Sequence, residues 1–70
     1  MLAQEKMWFH KALSVATGGR WLTPQAHIVG YGDEEVFVAQ GDALYTIERV
    51  SRYAAALVNE DGQELRRWMI

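Results

Sequence analysis

The chain has no cysteine and a single proline. The first absence excludes a disulfide framework and any thiolate metal site, and it fits a reducing compartment, for which the cytoplasm is the expectation. The second leaves Pro24 as the one fixed φ in the sequence, so other breaks between elements have to come from glycine and short polar side chains. Long apolar runs are missing as well. The longest, "YAAALV", falls far short of the roughly 20 residues of a membrane-spanning helix, and no membrane partner is expected. "MLAQEKMWFHK" is charged within its first residues and lacks an uninterrupted apolar stretch, which does not read as a secretory signal. Histidine is scarce: His10 and His27 stand apart on different expected elements. Without cysteine to join them they form no ligand set, so neither a metal nor another cofactor is expected.

Charge of one sign is missing from the middle. Residues 1–20 carry Lys6, Lys11 and Arg20 against Glu5, a balance of +2. Residues 21–48 contain no Lys or Arg, while Asp33, Glu34, Glu35, Asp42 and Glu48 give −5; Arg49, Arg52, Arg66 and Arg67 then outweigh Glu60, Asp61 and Glu64 for +1. The net charge is −2, with the acid concentrated around "GYGDEEVFVAQGD".

What is present suffices for one small domain spanning residues 1–70, near the lower size at which one core holds a chain folded. Residues 2–17 have the spacing of an amphipathic helix, with Leu2, Trp8, Phe9, Ala12, Leu13, Val15 and Ala16 on one face. Met7 projects to the polar side. Gly18-Gly19 is expected to end the helix through a left-handed conformation, and "RWLTPQ" to serve as connector. "AHIVGY", "EEVFVAQ" and "ALYTIERV" are rich in β-branched and aromatic residues and separated by "GDE" and "QGDA" turn signals, the pattern of an antiparallel meander. Both faces of "EVFVA" are apolar, which predicts a central strand.

"ERVSRYAAALVNEDG" admits two readings. Ile47, Val50, Ala54, Leu57 and Val58 recur at helical spacing, and consecutive alanines favour helix. Alternatively Ser51-Arg52 marks a bend, and "NEDG" turns a strand back into "QELRRWMI". The strand reading is preferred because the last segment needs an antiparallel neighbour. It puts Tyr53, Ala55, Leu57, Arg66 and Trp68 on one side and Ala54, Ala56, Val58, Leu65, Arg67 and Met69 on the other. The second set, with its small residues, is the expected seat of the helix. The fold class is therefore α+β: an N-terminal helix packed on a small antiparallel meander of four to five strands.

Signatures of catalysis are lacking. Ser14 and Ser51 sit in no strand–turn–helix elbow. "GYG" is followed by acids that would repel a phosphate, and Glu34 and Glu35 would point to opposite sides of a strand. The expectation is a protein that is not an enzyme. Its candidate partner-binding residues are Asp33, Glu34, Glu35 and Asp42, with Met7 and Tyr31 as exposed anchors. A field of that sign would attract a protein or protein complex with a basic surface. The alternative is a small nucleic-acid-binding module using Arg49, Arg52, Arg66, Tyr53 and Trp68 as cations and stacking rings; against it, these arginines and Arg67 are expected to pair with Glu60, Asp61 and Glu64 around the hairpin. A subunit assembling through its sheet edge is a third reading, and monomer and homodimer are both open.

In size and composition alone, a very short, cysteine-free, acidic α+β chain is similar to the small proteins that bacteriophages encode to block host machinery, anti-CRISPR inhibitors among them. That resemblance implies an inhibitor of a larger host assembly and assigns no residue.

Overall fold

The helix begins where a carboxylate can reach back to a free backbone donor. In the computed structural model, which describes residues 1–19 and 21–70, α1 spans Ala3–Gly18, and Glu5 Oε1 accepts a hydrogen bond from Leu2 N–H at 3.2 Å. This is the carboxylate half of a capping box. Phe9, Ala12 and Ala16 are buried, with Trp8 and Leu13 packed beside them. Met7, 71% exposed, points away as expected, while Leu2 and Val15, expected on the apolar face, are exposed. The helix stops without the left-handed residue: Gly19 has φ −79° and donates to Val15 O at 2.8 Å. Arg20, first residue of the expected connector, lies outside the described residues. Beyond it Trp21 N–H donates to Ala16 O at 3.1 Å, Leu22 is buried, and Pro24 occupies the second position of a turn closed by Ala26 N–H to Thr23 O at 3.0 Å.

The remainder is a five-stranded antiparallel sheet in sequence order, with β1 at His27–Tyr31, β2 at Glu35–Gln40, β3 at Ala43–Ser51, β4 at Ala54–Val58 and β5 at Glu64–Met69. The strand reading of residues 48–58 is the one observed. β2 is interior, and the middle strand is β3. Both positive-φ glycines sit where turns demand them: Gly41, φ 60°, between β2 and β3, and Gly62, φ 83°, between β4 and β5.

The helix covers the opposite side of the β4–β5 hairpin from the one its small residues suggested. Ala55, Leu57 and Trp68 join Phe9, Ala12, Ala16, Val36, Val38 and Ile47 in the core, and Trp68 Nε1–H donates to Ala12 O at 3.2 Å. The complementarity is inverted: Ala12 and Ala16 are the small residues, and they belong to the helix, so the sheet can raise Trp68 and Ile47 toward it. An indole also needs a partner for its N–H when buried, and the helix backbone supplies one.

The ladder steps by one residue at three places, between Ile28 and Gly30, between Arg49 and Ser51, and between Arg66 and Glu64. Val29, Val50 and Leu65 are the extra residues, and they are 55%, 41% and 45% exposed. Each bulge leaves its apolar side chain unpaired and restores the alternation beyond it. The step at Leu65 changes which residue faces Val58: it is Glu64, where simple alternation had put Leu65.

Candidate protein-binding face of the sheet

One face of the sheet carries the helix; the other has no cover among the described residues. Its surface follows from the register. One row crosses all strands as Gly30, Phe37, Thr46, Val58 and Glu64, and the next runs Glu35, Glu48, Ala56 and Arg67. Glu35 and Glu48 are directly opposed, an arrangement of like charges that costs stability in a sheet. Glu35 is held back over the turn, its side chain folded onto Gly32, where an added Cβ would come within 2.7 Å of Glu35 Cγ.

Arg67 is the basic side chain in these rows, and it is already engaged. Residues three apart on a regular strand point to opposite faces, but the bulge at Leu65 brings Glu64 and Arg67 to the same one. Arg67 Nη2 donates to Glu64 Oε1 at 2.7 Å and Nε to Oε2 at 3.3 Å, a forked pair. The hydrogen bond from Arg67 lowers the Glu64 carboxyl below its ordinary pKa, and the same bond raises that of Arg67, with further help from the charges of Glu64 and Glu48. Ala56, between the Glu48 and Arg67 positions, is fully buried although it lies on this face.

In the first of those rows the small Thr46 lies between Phe37 and Val58. Phe37 leans the other way, onto Gly30, whose missing side chain makes room: a Cβ there would stand 3.2 Å from Phe37 Cδ2. The result is a depression of about 390 Å³ with Phe37, Leu44, Thr46 and Val58 on its lining and Glu48 and Glu60 among its polar groups. Glu60 is positioned by the β4–β5 loop. Asn59 Oδ1 accepts from Asp61 N–H at 3.0 Å and Gln63 N–H at 2.9 Å, which fixes the turn, and Glu60 Oε1 accepts from Leu44 N–H across the gap at 3.2 Å. The sequence offers Glu48 only as one of the central acids and Glu60 as an expected partner of the arginines; the cross-strand register that brings the two to one depression is not visible before the strands are paired.

The expected acidic residues do not gather in one corner. Asp33 and Glu34 lie in the β1–β2 turn, at the end of the sheet that holds the β3–β4 turn, and Arg49 N–H of β3 donates to Glu34 O at 2.9 Å. Asp42 lies in the β2–β3 turn at the other end of the strands, on the side of the β4–β5 loop that holds Glu60 and Asp61. Met7 is on the helix surface, and Tyr31 lies under Lys6 Nζ, 5.0 Å from its ring centroid. Neither is on the open face of the sheet: Tyr31 opposes Val36, a core residue.

The arginine set is dispersed too. Arg49 lies over the Trp8 ring at 4.8 Å and Arg66 over Trp21 at 5.4 Å, in place of the expected pairs with acids; of those, Arg67 with Glu64 forms. Trp68, 5% exposed and packed against Trp21 with centroids 5.1 Å apart, offers no free ring. Arg52 and Tyr53 remain exposed in the β3–β4 turn. A larger cavity, about 490 Å³, lies where Thr17, Trp21, Leu22, Pro24 and Gln40 meet; its described lining holds no ionisable group. Among the described residues no group of three or more His, Cys, Asp or Glu could hold a metal ion, and no helix is long and apolar enough to cross a membrane.

Comparison with protein-family models, with curated proteins and with solved structures finds no match to this chain.

Proposed function

We propose that the chain is a binding protein without enzymatic activity that occupies a basic surface of a larger host assembly and thereby inhibits or regulates it, docking through the uncovered face of its sheet. The observation that carries this reading is the opposed pair Glu35 and Glu48 beside a depression edged by Glu60. The register brings two acidic positions into one cross-strand row, and a cationic partner is attracted to carboxylates so placed. A surface of carboxylates can occupy a nucleic-acid-binding groove by offering negative charge in place of phosphates, and the likeness in size and acidity to phage-encoded inhibitors points the same way.

The test is a pull-down from host lysate at low and high salt, with bound protein and bound nucleic acid both identified, comparing the native chain with Glu35→Gln/Glu48→Gln. A protein partner held by the native chain, released by salt and weakened in the variant is the expected result. Capture of nucleic acid that is lost in Arg52→Ala/Tyr53→Ala and unaffected by the glutamate changes would overturn the proposal.

A further inference from the structure

We infer that the depression over Thr46 is a receptor for one arginine side chain of a basic protein partner, an inference that rests on the reading above and narrows it to a residue. The volume, about 390 Å³, lies at the small end of the roughly 300–1,000 Å³ of ligand clefts, which suits a single long side chain better than a cofactor. Its chemistry is divided as arginine is divided. Phe37, Leu44 and Val58 offer apolar contact to an aliphatic stem, while Glu48 and Glu60 offer carboxylates to a planar guanidinium that can address both.

The treatment of the chain's own cations supports the choice. Arg49 lies over Trp8, Arg66 over Trp21 and Lys6 over Tyr31, the geometry in which a cation meets the negative face of a ring. Among the described residues no cation stands over Phe37, although that ring is only half-buried and carboxylates lie nearby. Glu60 spends Oε1 on Leu44 N–H, which fixes its direction and leaves its second oxygen for an incoming donor. Arg67 cannot serve from within, because its fork is closed on Glu64. A second copy of the chain is a poor occupant, since it would bring the same carboxylates, Glu35 and Glu48, to an already acidic face.

The experiment titrates the protein with capped tri-arginine, tri-lysine and tri-citrulline peptides, read by chemical-shift changes. Tri-arginine is expected to move Leu44, Thr46 and Val58 and to show ring-current shifts of its side-chain methylenes from Phe37. Tri-lysine should bind more weakly and tri-citrulline not at all. Thr46→Leu, which fills the floor without touching a charge, and Glu48→Gln/Glu60→Gln, which removes the charges without filling the floor, should each weaken tri-arginine by about tenfold. Equal binding of lysine and arginine, insensitive to Thr46→Leu, would overturn the receptor and leave a basic partner of the broader face intact. Loss of every salt-dependent interaction of the face would remove both readings. A dimer in sedimentation that Thr46→Leu dissolves would assign the depression to a second copy and overturn the arginine.

Discussion

Single side chains on the uncovered face are tuned by where the backbone places them. Glu64 and Arg67 meet because Leu65 is an extra residue between them. The hydrogen bond from Arg67 lowers the Glu64 pKa; whatever stability the pair contributes is therefore present above the ordinary carboxylate pKa and lost as pH falls through the lowered folded value. Both groups are exposed, so the useful readout is the titration itself. In a carbon-detected pH titration, Arg67→Leu should move the Glu64 midpoint upward toward the ordinary range. Arg67→Lys should move it part of the way, since an ammonium keeps the charge and loses the fork. An unchanged midpoint in Arg67→Leu would mean that the fork is not formed in solution.

At the scale of elements, bulges decide which side chains share a face, and they make deletions unequal. Removing Leu65 takes out the residue without a ladder partner, so Glu64 still opposes Val58 and Trp68 still enters the core. Removing Ala56 from β4 drives Ala55 and Ala54 to the wrong sides and withdraws the neighbour of Trp68. Thermal melts should find the Leu65 deletion folded with a modest change in midpoint and the Ala56 deletion unfolded; equal damage from both would show that the bulge is needed for the hairpin to form. The same features mark how far the sequence could be read. Helix bounds and the bounds of the first strands were legible, because glycine, proline and polar turns punctuate them; residues 48–58 fitted helical spacing as well, and only the need of the last segment for an antiparallel neighbour favoured the strand that is observed. The side that the helix covers was not: every residue of "AAALV" is buried, so alternation offered two acceptable faces, and only the demand of Trp68 for cover and a hydrogen-bond acceptor separates them. The bulges were silent as well, since Val29, Val50 and Leu65 look like ordinary strand residues until the register is known. Hence the acidic turns were found from charge alone, whereas the opposition of Glu35 to Glu48 and the reach of Glu60 to Leu44 required the paired strands.

For the molecule as a whole, the separation of its acidic turns sets a length against which screening can be compared. Asp33 and Glu34 stand beyond one end of β2 and Asp42 beyond the other, so more than the roughly 17 Å length of that strand, at about 3.3 Å per residue, separates them in a body whose longest dimension is 28 Å. Electrostatic influence reaches about 30 Å at 0.01 M salt and about 8 Å at 0.15 M. At the lower salt, then, either end steers a cationic partner; at the higher, only charges near the contact do. The depression lies toward the β2–β3 and β4–β5 loops, as its lining by Leu44 and Glu60 requires. Asp42→Asn/Asp61→Asn and Asp33→Asn/Glu34→Gln should therefore slow association with a basic partner about equally at 0.01 M. At 0.15 M the first pair should keep a measurable effect on the association rate and the second should lose most of it, with dissociation rates little changed in either, since none of these residues lines the depression. Stopped-flow or surface-binding kinetics at the two salt concentrations separate the cases. Persistence of the Asp33/Glu34 effect at 0.15 M, with none from Asp42/Asp61, would place the contact at the β1–β2 end and require a different docking site.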